Sequence, residues 1–270
     1  MAAMPEPAEL IDSHCHLAHG RLRQDVAAVI ARARAAGVTR MICAAGTVAE
    51  SKAAVSLARP YDNVWVTAGL HPHDAKDAGE HYLAALEQLA GDPRNVAIGE
   101  TGLDYHYDFS PRDAQRRVFA EQLALAGRLG KPVVVHTREA FDDTMAILRD
   151  AGADGGRVVL HCCTEGAANV ERALGFGAAV SFSGIVTFRK AAYLREAASL
   201  VPDDRLLIET DAPYCSPEPV RKMKTNEPAN VAHVAACLAA VRNTTPESIA
   251  RLTAANATRI FALAPRGGVA

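Results

Sequence analysis

Histidine and carboxylate side chains follow several of the short apolar runs in this chain. They are His14 and His16 after the first run, Glu100 after the fourth, His136 after the fifth, His161 after the sixth and Asp211 after the eighth. Imidazole nitrogens and carboxylate oxygens are ligands for divalent cations. Four imidazoles and two carboxylates exceed what one tetrahedral zinc can use, but they suit two ions if one carboxylate bridges. Positions that they leave open go to water and substrate, which is typical of a catalytic site.

Each of these residues taken alone also has a structural interpretation. Side chains two residues apart in an extended segment share a face, so His14 and His16 converge while Cys15 points away, yet such pairs are commonly structural. Glu100 alone could form a surface salt bridge, and Asp211 could cap a turn before Pro213. Their recurrence at the ends of five runs favours the metal site.

The runs that position these residues alternate with helical patterns, at a spacing of about 20–35 residues that is typical of βα units. The predicted strands are Glu9–Asp12, Arg40–Ala44, Val64–Ala68, Val96–Gly99, Pro132–Val135, Arg157–Leu160, Ala178–Phe182 and Arg205–Ile208. Several are apolar throughout, as expected of parallel strands covered on both faces. The pattern predicts an α/β fold, a single (β/α)8 TIM barrel spanning residues 1–270. A barrel places its active site at the C-terminal face of the strands.

The alternative is an open, doubly wound parallel sheet, although no glycine-rich phosphate motif follows the first run. Helix signals occur between the runs. Arg21–Ala36 carries an apolar stripe and ends before Gly37, and Ser110-Pro111 is predicted to cap a long helix with proline at its first position. Thr245-Pro246 repeats that signal before the last helix.

Composition limits the classes of function. The 270 residues carry 29 basic and 31 acidic side chains, a net charge of −2, and no basic block. Tight, sequence-independent coating of nucleic acid is therefore not expected, although a short basic patch in a cleft is allowed. The six cysteines lack a disulfide or CxxC pattern, and we expect reduced thiols in a cytoplasmic protein. No signal peptide, membrane span or obligate protein partner is evident in the sequence.

The motifs resemble those of the TatD family of metal-dependent deoxyribonucleases, in the family's order. The resemblance covers nearly the whole chain and implies a barrel core at about residues 10–262. The matching segments are His14-Cys15-His16, residues 69–73, 99–105 and 135–138, His161-Cys162, and residues 209–214, 217–221 and 226–228. The chain departs from the family after the sixth run, where members often have His-Cys-Phe-Ser/Thr-Gly. Here the sequence is His161-Cys162-Cys163-Thr164-Glu165-Gly166, which lacks the aromatic residue and inserts Glu165.

The resemblance implies a TIM barrel of the amidohydrolase superfamily with two divalent metal ions. It assigns His14, His16, Glu100 and Asp211 to one ion, and Glu100, His136 and His161 to the other, with Glu100 as the bridge. The ions are expected to be Mg²⁺, Mn²⁺ or Zn²⁺, because imidazoles favour zinc or manganese whereas phosphodiester hydrolysis often uses magnesium or manganese.

The activity that follows is hydrolysis of DNA phosphodiesters, on short single strands or 3′ ends. Asp211 as general base and Glu100 form the predicted catalytic pair, and His71, Arg138 and Arg221 are predicted substrate contacts, since an arginine fork suits phosphate. Arg138 could instead pair with Glu139 or Glu165, and Arg221 could be a solvated loop residue. Two other functions stay open, an amidohydrolase-type lactonase, amidase or deaminase and a non-catalytic metal-binding barrel.

Overall fold

The computed structural model of this protein describes residues 9–264. The sequence-based expectations for the termini, an N-terminal segment without a signal peptide and a frayed end at Gly267 and Gly268, lie outside the described residues. Within residues 9–264, no helix has both the length and the apolar character that crossing a bilayer requires.

Eight parallel strands form one sheet in which each strand pairs with the next along the chain. The strands are β1 Leu10–Cys15, β2 Val38–Cys43, β3 Val64–Ala68, β4 Asn95–Asp104, β5 Val133–Arg138, β6 Val158–Leu160, β7 Ala179–Phe182 and β8 Leu206–Ile208. The sheet curves into a nearly closed barrel, and the predicted (β/α)8 fold is confirmed.

Three strands run further toward the C-terminal end of the barrel than their apolar runs indicated. β1, β4 and β5 extend through His14, Glu100 and His136, so these residues belong to strands rather than to the loops that follow. The β4–β5 ladder continues through the pairs Gly102–His136 and Asp104–Arg138. A strand whose side chains turn polar toward the site is still held by backbone hydrogen bonds, which hydropathy does not detect.

Nine helices connect and cover the strands in the described part of the chain. They are α1 Val26–Ala35, α2 Val48–Ala58, α3 Tyr82–Ala90, α4 Arg112–Leu129, α5 Phe141–Asp150, α6 Ala167–Phe176, α7 Ala192–Leu200, α8 Val231–Val241 and α9 Pro246–Ile260. The predicted first helix is shorter than expected, because a 3-10 turn at Arg23–Asp25 precedes α1. α9 begins as predicted, with the Thr245 side chain accepting a hydrogen bond from the Ser248 amide and Pro246 in the first turn.

The predicted cap of α4 by Ser110 is wrong. Pro111 occupies the N-cap position, with no side-chain cap hydrogen bond, and the helix begins at Arg112. The Ser110 hydroxyl instead donates to the His73 carbonyl at 2.7 Å and accepts from the Lys76 amide at 3.0 Å. The hydroxyl therefore joins α4 to the loop after β3, and this tertiary contact replaces the local cap.

The barrel interior is filled near the N-terminal ends of the strands. One buried cluster takes a residue from every strand, including Ile11, Trp65, Val134 and Leu207, and adds residues of α9 and the segment after it, such as Phe261. Two further clusters lie between the sheet and the surrounding helices. The packed base leaves the C-terminal ends of the strands free to carry polar side chains.

The barrel closes between β1 and β8 with help from side chains. The Asp12 carboxyl is fully buried and accepts hydrogen bonds from the Thr210 amide at 2.8 Å and the Thr210 hydroxyl at 2.5 Å. Ser13 donates to the Ile208 carbonyl at 2.9 Å, and Cys15 forms an isolated bridge with Ala212. These contacts between β1 and the segment after β8 also position Asp211, whose backbone N–H donates to the His14 carbonyl at 2.9 Å.

We expect Asp12→Asn to retain the contact between β1 and the segment after β8, and Asp12→Ala to weaken this contact. Burial raises the pKa of Asp12 from 3.8 to about 8, against the hydrogen bonds from Thr210, so the carboxyl is protonated at neutral pH and an amide can replace it. Alanine leaves the Thr210 amide without its acceptor, which costs about 1–3 kcal/mol for a buried donor. Urea unfolding at neutral pH measures both changes.

The same titration has a pH signature. Because the folded pKa of Asp12 is raised, its stabilising contribution is present below pH 3.8 and is lost as the pH rises through about 8. Asp12→Asn should therefore gain stability relative to the unaltered protein as the pH rises from 3.8 to about 8, with no further gain above that. A difference that does not change with pH would show that Asp12 is ionised throughout.

Candidate metal centre

The first group of predicted ligands meets between β1, β4 and the loop after β8. His14 Nε2 and His16 Nε2 are 3.3 Å apart, and Glu100 Oε2 lies 3.4 Å from the former and 3.7 Å from the latter. Asp211 Oδ1 is 3.4 Å from His16 Nε2 and 4.0 Å from His14 Nε2. Four side chains from three parts of the chain thus present their ligand atoms to one small volume.

A second group surrounds the other oxygen of Glu100. Oε1 lies 2.8 Å from His161 Nε2, 3.2 Å from His136 Nδ1 and 3.2 Å from His71 Nε2. His136 Nδ1 and His161 Nε2 are 3.4 Å apart. His71, which was predicted to contact substrate, lies within this group of possible ligand atoms.

The spacing of these atoms fits bound cations. Ligand atoms about 2.0–2.2 Å from an ion lie roughly 2.8–3.6 Å apart at bond angles between 90° and 109°. The shortest separations in both groups, from 2.8 to 3.4 Å, are close to that range. All these donors are imidazole nitrogens or carboxylate oxygens, which bind zinc, manganese and related ions.

The carboxylates of the centre are ionised, as metal ligands must be. Burial raises the pKa of Glu100, but the nearby imidazoles, His161 and His71 foremost, outweigh burial and lower that pKa well below its usual range. Burial likewise opposes ionisation of Asp211, and its hydrogen bond with His16 overcomes this effect and lowers the pKa. The centre therefore contains negative charge that cations can neutralise.

The imidazoles fall into two classes. Burial lowers the pKa of His14, and it lowers the pKa of His71 to about 4, so both rings are neutral at neutral pH. Burial acts in the same direction on His16, His136 and His161, but adjacent carboxylates raise their pKa values above the ordinary one. A cation that binds these three rings displaces protons from them.

Two supporting carboxylates have no assigned role in the sequence-based prediction. Asp104 Oδ2 lies 3.1 Å from His136 Nε2 and 2.9 Å from His73 Nε2. Glu209 Oε1 lies 3.3 Å from His161 Nδ1 and accepts from the Cys162 amide at 2.8 Å. Carboxylates that bind the far nitrogen of a ligating histidine orient the ring and raise its basicity. Alternation along a strand is the signal that could have identified Asp104, since it lies four residues after Glu100 on the same face.

Gly102 keeps β4 close to β5 beside the second group. Its φ is +136°, and a Cβ at this position would lie 2.0 Å from the His136 carbonyl oxygen. Any side chain would therefore push apart the strands that carry Glu100 and His136. Glycine is therefore required at this position because the two strands that carry the candidate ligands approach closely here.

The two predicted arginine contacts lie in different environments. Arg138 lines the cleft above the centre, with its guanidinium 4.8 Å from the ring centroid of Tyr107, and no carboxylate of the described residues lies within 4.0 Å of it. Glu139 pairs with His106 instead. Arg221 is exposed, packs 3.8 Å over the ring of Phe188, and is not among the residues that line the cleft.

The cleft has a volume of about 940 Å³ and an aromatic rim. Tyr107 is 47% exposed, Phe109 56%, Tyr193 48% and Tyr214 45%, and all four line the cleft. The rings of Tyr107 and Phe109 stack with centroids 5.2 Å apart. Exposed aromatic faces of this kind are suited to stacking on planar ligands.

Comparison with known proteins shows similarity along almost the whole chain. A family model described as TatD related DNase matches residues 11–262. The chain is 39% identical over 252 residues to the uncharacterized metal-dependent hydrolase YabD of Bacillus subtilis, covering 93% of this chain and 98% of that protein. It is also 39% identical over 260 residues to the 3′-5′ ssDNA/RNA exonuclease TatD of Edwardsiella piscicida, covering 94% and 100%.

The fold has a close match among solved structures. The crystal structure of YJJV, a TatD homologue from Escherichia coli K12, superposes with a TM-score of 0.90 at 28% sequence identity, covering 95% of this chain and 99% of that one. The similarity therefore includes the complete barrel and the strand ends that carry the candidate ligands.

Proposed function

The chain belongs to the TatD-related DNase family, a family of metal-dependent hydrolases, and from this membership we propose that it hydrolyses phosphodiester bonds of single-stranded DNA from the 3′ end. We propose that His14, His16, Glu100 and Asp211 hold one divalent ion, and that Glu100, His136 and His161 hold a second, with His71 as a further ligand or a close neighbour. We also propose a cytoplasmic location, because the spacing of the six cysteines is not that of a disulfide framework.

The observation that carries this proposal is the division of Glu100 between two ligand groups. Oε2 lies 3.4 Å from His14 Nε2, and Oε1 lies 2.8 Å from His161 Nε2. One carboxylate with an oxygen in each group is suited to bridging two ions. When bound, the ions would supply Lewis acidity toward a phosphate oxygen and lower the pKa of an attacking water.

The protein's own residues would orient the substrate and accept the proton. Asp211 is ionised and lies at the rim of the cleft, so its carboxylate can accept a proton from water. Asp104 and Glu209 hold the rings of His136 and His161 in their orientations. Arg138 provides a cation at the cleft that a phosphate can contact.

The aromatic rim favours a single-stranded polynucleotide over a small neutral ester or amide. Bases that are not paired expose their faces, and stacking on an aromatic side chain contributes about 1–3 kcal/mol per base. Tyr107 and Phe109 provide stacked rings on the same side of the cleft as Arg138. The rim therefore supplies base contacts beside a phosphate contact.

We expect Tyr107→Ala and Phe109→Ala to weaken oligonucleotide binding more than chemistry. Loss of one stacking contact of about 1–3 kcal/mol corresponds to a rise in KM of roughly 5- to 150-fold. The kcat for the same oligonucleotide should change little in these variants, because stacking on a base does not involve the groups that contact the scissile phosphate. Leu200→Ala removes an exposed apolar side chain outside the cleft and serves as the matched control.

The decisive experiment for the function is a substrate panel. Metal-loaded protein is incubated with labelled single-stranded and duplex DNA, RNA, lactones and amides, each with Mn²⁺, Mg²⁺ and Zn²⁺. We expect nucleotides to be released one at a time from single-stranded DNA, with a blocking group on the 3′ end preventing release. Efficient hydrolysis of a lactone or amide with no phosphodiester cleavage would favour the amidohydrolase-type alternative.

A further inference from the structure

Two thiols and one carboxylate form a separate cluster beside the candidate metal centre. Cys162 follows β6 and Cys215 lies in the loop after β8, and their Sγ atoms and a carboxylate oxygen of Asp211 all lie within 4.8 Å of one another. Cys215 Sγ donates to Asp211 Oδ2 at 3.4 Å, and Cys162 Sγ lies 3.1 Å from the Ser183 hydroxyl. The mechanism above gives neither thiol a role.

The cluster faces a different oxygen of Asp211 from the one that faces the histidines. Oδ1 lies 3.4 Å from His16 Nε2, whereas Oδ2 accepts from Cys215. Asp211 can therefore contact a cation on each side, as we propose for Glu100. The two thiols are partly exposed and line the cleft, so an ion from solvent can reach them.

We propose that Cys162, Cys215 and Asp211 bind a thiophilic divalent cation, of the class of Zn²⁺ or Cd²⁺, at a third site distinct from the binuclear centre. Thiolates select soft or borderline metals over Mg²⁺ and Mn²⁺. At a Zn–S distance of about 2.3 Å, two thiolates of a tetrahedral ion lie roughly 3.8 Å apart. The ligand atoms of the cluster lie within 4.8 Å of one another. Binding forms two metal–sulfur bonds and releases the two thiol protons to solvent.

The site has a consequence for activity, and this part rests on the proposed function. A cation held by both thiols would engage Asp211 Oδ2 and prevent that carboxylate from accepting a proton. Cd²⁺ should therefore inhibit the Mn²⁺-loaded protein even when Mn²⁺ is in excess. Inhibition should disappear in Cys215→Ser, whose activity with Cd²⁺ is compared with its own activity with Mn²⁺ alone.

The test uses the ultraviolet charge-transfer absorption of Cd–thiolate bonds, which imidazole and carboxylate ligands do not produce. Mn²⁺-loaded protein is titrated with Cd²⁺, and we expect the band to saturate at one thiolate-bound Cd²⁺ per chain. Cys215→Ser should lose the band, whereas Cys237→Ser should retain it, because Cys237 lies on α8 and its Sγ contacts the Val186 carbonyl. Thermal melting and Mn²⁺ content of each variant establish that it is folded.

The outcomes separate this site from the proposed function. A band that is unchanged in Cys215→Ser, or that never appears when Cd²⁺ is in excess, would overturn the third site. A band that is lost in Cys215→Ser supports the site even if the substrate panel reveals no nuclease activity. Inhibition by Cd²⁺ that persists in Cys215→Ser would mean that the ion acts at the histidine centre, and would overturn the link to Asp211.

Discussion

Asp211→Asn is expected to reduce kcat for DNA hydrolysis by roughly 10²–10⁴-fold, the range typical of a lost general base. The side-chain amide of asparagine has nearly the same shape as the carboxylate. The loop after β8 should therefore keep its position, which the hydrogen bond from the backbone N–H of Asp211 to the His14 carbonyl holds at 2.9 Å. An amide cannot accept the water proton at neutral pH, and it is a weaker ligand. The effect should therefore appear in kcat at saturating Mn²⁺ and be largely absent from the melting temperature.

The matched control is Asp74→Asn. Asp74 lines the same cleft, and its replacement changes the net charge by the same amount without removing a candidate ligand. Its kcat should stay within a few-fold of the unaltered protein. Near-normal turnover of Asp211→Asn at saturating Mn²⁺ would assign the proton acceptor to another group.

Glu100→Gln is expected to cause the largest loss of bound metal. The two Glu100 oxygens face different groups of imidazoles. The side-chain amide of glutamine keeps only one oxygen, and its NH₂ group is a hydrogen-bond donor that cannot bind a cation. One site should be lost and the other weakened by more than the roughly 10–100-fold that is typical of residues which merely support a ligand. Turnover should not recover at any accessible Mn²⁺ concentration.

Asp104→Asn provides the graded comparison, because Asp104 contacts His136 without belonging to either group of candidate ligands. Metal content after dialysis at a series of free Mn²⁺ concentrations measures both variants. We expect Asp104→Asn to lose about 10–100-fold in affinity and to recover activity in excess metal. His136→Ala should likewise lose the second ion selectively and recover in part. If Glu100→Gln still binds two ions with ordinary affinity, Glu100 is not the bridge.

Several features of this protein follow from the sequence alone, because they depend on short-range geometry. Parallel strands that alternate with helices all end at the same face of a barrel, so the histidines and carboxylates near those ends meet without knowledge of any loop. Side chains two residues apart on a strand share a face, which brings His14 and His16 together and buries Cys15 on the other side. The barrel and the convergence of six candidate ligands were predictable for these reasons.

Other features depend on contacts between distant segments, and only the tertiary structure decides them. The loop after β3 places His71 Nε2 beside Glu100 Oε1. The Lys76 amide of the same loop donates to the Ser110 hydroxyl, which therefore does not cap α4. Cys162 and Cys215 are 53 positions apart, and they meet although β7 separates β6 from β8, because the loop after β8 brings Cys215 back toward the end of β6. The alternation of residues along a strand determines the direction in which a side chain points. The partner that it contacts depends on how the loops fold over the barrel, and packing across the whole chain determines this folding.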